Sequence, residues 1–276
     1  MPLKLMYITN DPEIAVISES AGVDRIFVDL EYIGKDLRQG GMDTVQSKHT
    51  LDDVKKIKNV LQSAELLVRV NPIHEETKMY CSSKEEISKA IENGADIVML
   101  PYFKTIDEAQ KFVSYVNGKA KTMLLVETPE AAEIIDRIVE FDGIDEIYVG
   151  LNDLSLGYGK KFMFELLADG TVDRLAGYFK SKNIPFGFGG LASLDGGALP
   201  GRMVLKEHYR LGSSRVILSR SFCNTSVIKD KDTIRKIFED GVNEIRGLEK
   251  ECEEHALYFS NNRKSLVEKV KLVVEG

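Results

Sequence analysis

The chain has 276 residues, 43% of them hydrophobic and 29% charged, with a formal net charge of −7 and an isoelectric point near 5.3. That length suits one large domain, since α/β barrels reach about 250 residues as single units. The acidic balance argues against nucleic acid or an anionic membrane as partner, because like charges repel at long range, and leaves small-molecule chemistry as the expectation.

The amino terminus enters an apolar strand at once, with neither a basic segment nor a small-residue cleavage site, so a cytoplasmic protein is expected. No apolar run approaches the roughly 20 residues of a membrane span. Cys81, Cys223 and Cys252 are odd in number and far apart, and read as free thiols rather than as disulfide or zinc partners.

Short β-rich runs alternate with amphipathic helices along the chain, the pattern of a parallel sheet with crossover helices. The first run, Leu3–Ile8, precedes a helix opened by Asp11-Pro12-Glu13, a cap followed by a proline in the first turn. The second, Arg25–Leu30, is followed from Tyr32 to His49 by a polar, glycine-containing loop on the face where barrel chemistry sits, a candidate lid. Thr50 with Asp53 reads as a capping box before the helix that leads to Glu65–Val70. Ser83 with Glu86 and Thr105 with Glu108 do the same before Ile97–Leu100 and Thr122–Val126. Thr128-Pro129-Glu130 repeats the cap and proline.

Glu146–Val149, Pro185–Phe188 and Arg215–Leu218 complete eight strands, and eight units in this length favour a closed (β/α)8 TIM barrel over an open sheet. Gly22-Val23-Asp24, Gly94-Ala95-Asp96 and Gly143-Ile144-Asp145 stand before strands two, four and six, where a glycine ends a helix in a left-handed turn. Residues 231–276 are too many for one closing helix. Apolar positions Ile234, Ile237, Phe238, Val242, Ile245 and Leu248, then Leu266, Val267, Val270 and Val274, predict two helices beyond a barrel at 1–230, one of them packing on a neighbouring subunit of a homo-oligomer.

In such a barrel, polar residues at the carboxyl ends of strands face the site. Strand two ends Val28-Asp29-Leu30-Glu31, with Asp29 and Glu31 on one side because alternate residues share a face. Strand three ends with Arg69, strand five runs into Glu127, and strand six into Gly150-Leu151-Asn152-Asp153. Four acids and an arginine thus converge on one mouth. Clustered carboxylates suit a hard cation such as Mg²⁺ or Mn²⁺, and the alternative is an ion-pair ring in which Arg69 neutralises the acids.

These residues resemble the HpcH/HpaI aldolase and citrate lyase family of the phosphoenolpyruvate/pyruvate barrels. The matching pieces are Phe27-Val28-Asp29-Leu30-Glu31, Val68-Arg69-Val70, Gly94-Ala95-Asp96 through Met99-Leu100-Pro101, Val126-Glu127-Thr128-Pro129-Glu130-Ala131 and Val149-Gly150-Leu151-Asn152-Asp153-Leu154-Ser155, in the family's order. The resemblance implies that Glu127 and Asp153 ligate a divalent metal, that Asp29 and Glu31 hold metal-bound water, and that Arg69 contacts a keto-acid oxygen. It further implies that backbone amides from Gly150 to Asp153 receive the substrate carboxylate. The expected activity is reversible aldol cleavage or condensation of a pyruvate-like 2-oxo acid with an aldehyde, keto acid or thioester. A CoA-ester lyase or citrate-type synthase is the alternative enzyme, and a non-catalytic barrel that binds a keto acid or sugar acid is the alternative outside enzymes.

Two positions depart from the family. Tyr32 stands where many members carry a histidine, and Leu125 replaces a common glutamine. Tyr32 is thereby a hydrogen-bond donor rather than a base, with its ordinary pKa near 10. His49 is expected to be a solvated loop residue, with general-base duty as the other reading. His74 reads as a surface or capping group, and His208 and His255 as structural. Gly189 and Gly190 after strand seven, and Ser219-Arg220-Ser221 after strand eight, stand where barrels often bind phosphate, although glycine there serves tight turning equally well.

Overall fold

A computed structural model describes residues 2–34, 48–254 and 258–276. Most of the expected lid, and His255, lie outside the described residues. Eight parallel strands close in sequence order: β1 (Lys4–Ile8), β2 (Arg25–Asp29), β3 (Glu65–Arg69), β4 (Ile97–Leu100), β5 (Lys121–Val126), β6 (Glu146–Val149), β7 (Phe186–Leu191) and β8 (Arg215–Leu218), which pairs back to β1. The (β/α)8 barrel read from the sequence is therefore the fold. No helix of the described residues is long and apolar enough to cross a membrane.

The helices begin where local chemistry starts them. Helix α1 (Pro12–Ser20) is capped by Asp11, whose carboxylate accepts from the amides of Glu13 and Ile14. Thr50 and Asp53 open α2 (Leu51–Val60), and Thr105 and Glu108 open α4 (Ile106–Val116), as reciprocal capping boxes. The box expected from Ser83 and Glu86 does not form: α3 (Ser83–Glu92) is capped by Ser82. Glu86 is instead buried against Asn71, and the Ser83 hydroxyl contacts His74.

The Gly-x-Asp repeat does more than turn the chain. Gly22, Gly94 and Gly143 have φ of +96°, +105° and +86°. The aspartates that follow each accept a backbone amide near the start of the preceding strand, at 2.8 Å: Asp24 from Leu5, Asp96 from Leu66 and Asp145 from Thr122. One loop motif thus ties three pairs of adjacent strands at the amino end of the barrel.

The interior is layered. At the floor, Arg25 forks onto Glu146 at 2.6 and 2.7 Å and reaches Glu65 at 2.8 Å, while Lys121 meets the other Glu65 oxygen at 2.6 Å. Above it an apolar plug of Met6, Phe27, Leu67, Met99, Leu125 and Tyr148 fills the barrel. Polar groups reappear only above this plug, at the carboxyl ends of the strands.

The chain after β6 continues through α7 (Leu151–Gly157), α8 (Glu165–Ala168) and α9 (Thr171–Ser181), and β7 is followed by α10 (Gly201–Leu211). Between β5 and β6 lie the short α5 (Pro129–Glu133) and α6 (Ile135–Ile138). The two carboxyl-terminal helices are α11 (Lys231–Glu254) and α12 (Tyr258–Glu275). Both pack on their own barrel, α11 against α1 and α10, and α12 against α8 and α10. Of the predicted apolar positions, Ile234, Phe238, Val242, Ile245, Leu248, Leu266 and Val270 are buried there, Ile237 and Val274 are half-buried, and Val267 is exposed. Buried Glu207 on α10 is held by Arg210 and by Asn262 of α12, which fixes the last helix to the barrel.

Candidate active site

Asp29 and Arg69 are register partners at the ends of β2 and β3, which places a carboxylate beside a guanidinium. Arg69 binds Asp29 through both Nε and Nη2 at 2.8 Å, and its Nη1 lies 3.2 Å from Glu31 Oε2. Burial alone would lower the pKa of this guanidinium, but Asp29 and Glu31, aided by Glu127, outweigh it and hold the group well above its usual value. The ion-pair ring weighed from the sequence is thus present for these three residues. One guanidinium thus contacts two buried carboxylates.

His49 is not the solvated loop residue that was expected. It is buried, and its Nδ1 accepts the Asp29 amide at 3.0 Å, a contact that requires this nitrogen to be unprotonated. Tyr32 donates its hydroxyl to the His49 carbonyl at 2.6 Å and its amide to Asn71 Oδ1 at 2.8 Å. Burial, then the nearby Asp29, push its phenol pKa up. It lines a cavity of about 250 Å³ with His74, Tyr80, Cys81 and Glu86, separate from the one that takes Glu127 and Asp153. His74 bonds the carbonyls of Pro72 and Cys81, which makes it a staple of the loop after β3.

Glu127 follows β5 directly, and Asp153 lies in the first turn of α7, next to β6. Together with Tyr102, Lys104, Thr128 and Glu130 they line a cavity of about 290 Å³. Glu127 Oε1 accepts the Tyr102 amide at 3.0 Å. Tyr102 has φ of +49°, a left-handed conformation that costs a residue with a side chain about 1–2 kcal/mol. That conformation points its amide at Glu127, a role no sequence signal announced.

Gly150, the residue before α7, packs against Glu127. A Cβ there would lie 2.8 Å from Glu127 Cβ and 2.9 Å from Glu127 Oε2, so glycine is what admits the glutamate. The Gly150 amide is occupied by the Val126 carbonyl at 3.0 Å, which corrects the expectation that it receives a substrate carboxylate. The first turn of α7 has no side-chain cap, and the amides of Leu151, Asn152 and Asp153 belong to that turn. Asn152 donates its side-chain amide to Asp153 Oδ1 at 3.0 Å.

This donor set fits a hard divalent cation. Mg²⁺ is held by one or two carboxylates and completes its shell with water and substrate oxygens, and Mn²⁺ accepts the same ligands. Among the described residues there is no group of three or more His, Cys, Asp or Glu side chains that could hold a metal; Glu127 and Asp153 are two carboxylates lining one cavity.

Gly189 and Gly190 lie within β7 rather than in a loop after it, because the strand runs on to Leu191 through a bulge between Gly187 and Gly190. The bulge disrupts the ladder to β8. Tyr148, inside the barrel, repairs it: its hydroxyl donates to the Gly189 carbonyl at 2.6 Å and accepts the Ile217 amide at 2.9 Å. The inward phase of Tyr148 was available from the alternation of Ile147, Tyr148 and Val149 along β6. What it repairs was not.

The sequence profile of the HpcH/HpaI aldolase/citrate lyase family matches residues 4–164. No curated protein matches the sequence. Among solved structures, the HpcH/HpaI aldolase from Desulfitobacterium hafniense DCB-2 is 16% identical with a TM-score of 0.62, over 85% of this chain and 93% of that one. An HpcH/HpaI aldolase/citrate lyase family protein from Burkholderia cenocepacia J2315 is also 16% identical with a TM-score of 0.62, over 85% of this chain and 95% of its own. Macrophomate synthase is 15% identical with a TM-score of 0.55, over 78% and 76%. At these identities the structures speak for the fold alone. The profile spans more than half of the chain and takes in Asp29, Arg69, Glu127 and Asp153, so the chain belongs to the HpcH/HpaI aldolase/citrate lyase family, whose members are carbon–carbon lyases and related enzymes.

Proposed function

We propose that the protein is a divalent-metal-dependent carbon–carbon lyase that acts reversibly on a pyruvate-like 2-oxo acid. The observation that carries this reading is the cavity at adjacent strand ends that Glu127 and Asp153 both line, with Gly150 leaving room for Glu127. Glu127 and Asp153 would hold the cation, and when bound it supplies Lewis-acid polarisation of the keto acid's carbonyl. The amides of Leu151, Asn152 and Asp153 would receive the substrate carboxylate, since uncapped amides at a helix start favour an anion.

Arg69 lends positive charge at the mouth, where an oxyanion develops when a carbon acid is deprotonated. Asp29 and Glu31 orient that guanidinium. Tyr32 and Leu125 offer no base: the hydroxyl of one is engaged by His49, and the other sits in the apolar plug. This favours a second reading, a barrel that binds the keto acid without turning it over.

Exchange of the pyruvate methyl protons in heavy water, followed by proton NMR with Mg²⁺ or Mn²⁺ present, separates the two. Exchange that stops with chelator and in Glu127→Gln is the expected result. Pyruvate binding that depends on metal but yields no exchange would replace the lyase by the binder.

A further inference from the structure

The cavity lined by Glu127 and Asp153 also has an apolar side. Pro129 opens α5, and Leu156 lies in the last turn of α7. The two elements pack closely, since a Cβ on Gly157 would lie 2.5 Å from Pro129 Cδ and 2.8 Å from Cγ. Glycine at 157 therefore lets α7 reach the start of α5, and Leu156 lines the same cavity as Pro129. Leu151 and Leu154 of that helix are buried, whereas Leu156 keeps 37% of its surface exposed. The apolar chain of a ligand would cover that surface, which the hydrophobic effect favours.

The polar side carries no spare positive charge. Among the described lining residues Lys104 is the one cation, and its Nζ lies 3.1 Å from Glu130 Oε1 and 5.3 Å from the centre of the Tyr102 ring. Lys104 stands against Glu127, Glu130 and Asp153, so carboxylates outnumber it even before a substrate enters. A divalent cation on Glu127 and Asp153 would balance those two and leave nothing for a further anion. Taking an unpaired charge out of water is costly. At about 290 Å³ the cavity also lies at the lower edge of the roughly 300–1,000 Å³ of small-molecule sites, so a partner that shares it with the keto acid is short.

We infer that the carbonyl partner of the keto acid is an uncharged aldehyde with a short apolar chain, that Leu156 and Pro129 select it, and that Glu130 turns away acidic partners. The assignment deepens the lyase reading and rests on it. In the condensing direction the methyl carbon of the 2-oxo acid loses a proton and bonds to the aldehyde carbon. The π bond of the aldehyde carbonyl breaks, and its oxygen takes up a proton. The product is a 4-hydroxy-2-oxo acid, with no net change in protons or electrons.

The test uses the full chain with Mg²⁺, pyruvate and two probes of equal length, butyramide and succinamate, which end in a methyl and a carboxylate. Their amide carbonyl stands for that of the aldehyde without condensing. NMR shifts of the Leu156 methyls and the Gly157 amide are the readout. Butyramide should perturb both, and succinamate should bind about tenfold weaker or more. Leu156→Ala should weaken butyramide by about tenfold, read at Gly157. Glu130→Gln, at a side chain 50% exposed, releases Lys104 and should strengthen succinamate by about tenfold, because charge-assisted hydrogen bonds are the strong ones. In turnover, kcat/KM for butyraldehyde should exceed that for succinic semialdehyde, and Glu130→Gln should narrow the gap.

Succinamate bound as tightly as butyramide would overturn the inference. So would shifts located away from Leu156 and Gly157, or variants that bind both probes like the wild type. Pyruvate methyl exchange in the wild type without any acceptor reads the keto-acid site alone. Exchange together with a preference for succinamate overturns this choice of partner only; absence of exchange overturns the lyase reading, and with it the aldehyde as a reaction partner.

Discussion

Replacing Gly150 by alanine tests the join between fold and site most directly. Gly150 has φ of −80° and ψ of 90°, which alanine tolerates, so any effect comes from contact rather than backbone strain. The added methyl would lie 2.8 Å from Glu127 Cβ, 2.9 Å from Oε2 and 3.3 Å from Leu125 Cδ1. Leu125 can give by rotation, and Oε2 can swing. Glu127 Cβ cannot move without its backbone, and the two backbones are tied by the bond from the Gly150 amide to the Val126 carbonyl.

Overpacking of this kind costs about 1–3 kcal/mol. In a chain of this size each kcal/mol lowers Tm by about 2–4 °C. Displacement of Glu127 should weaken Mn²⁺ by about ten- to a hundredfold, the range seen when groups that support a metal ligand are altered. Mn²⁺ titration followed by electron paramagnetic resonance reads the second effect and thermal unfolding the first. Unchanged Mn²⁺ affinity alongside a clear loss of stability would show that Glu127 does not hold the cation. Gly177→Ala is the matched control: it lies mid-helix in α9 with open space around it, and should stabilise by up to about 1 kcal/mol.

Arg69→Met removes the guanidinium that the side chains of Asp29 and Glu31, each 2% exposed, both contact, and should destabilise by about 3–5 kcal/mol in urea unfolding. A loss below about 1 kcal/mol would mean that the acids find another partner. Tyr148→Phe strips the bulge of one donor and one acceptor and should cost about 2–4 kcal/mol, with accelerated hydrogen exchange at Ile217; an unprotected Ile217 amide already in the wild type would contradict the assignment. At the barrel floor, burial raises the Glu65 pKa, but Lys121 and Arg25 outweigh it and hold the group at about 2, below its ordinary 4.5. A depressed carboxylate stabilises the fold above its unfolded pKa. The stability gap between wild type and Glu65→Gln should therefore persist at neutral pH, shrink below about pH 4.5 and be gone near pH 2. A gap independent of pH would refute that account.

Strand positions and most helix starts could be read from the sequence, because each depends on residues within about one helical turn or one strand, and closure of the barrel followed from the count of eight units. Thr50 and Asp53 find each other at three residues' distance whatever the rest of the chain does. Ser83 and Glu86 show the same spacing and fail, because Asn71 of the preceding strand's end captures Glu86 first. The acids and the arginine of the site were likewise visible as strand-end residues.

Their partnerships were decided by the closed barrel. Asp29 and Arg69 are 40 residues apart and meet through the β2–β3 register, which gives the guanidinium a partner before any substrate arrives. His49 became a buried acceptor for the Asp29 amide, and Tyr32 turned to a different cavity from Glu127. Hydrophobic period and caps are local quantities, written in neighbouring residues. Which charge neutralises which, and which glycine makes room for which acid, depend on distances between strands that only the folded barrel sets.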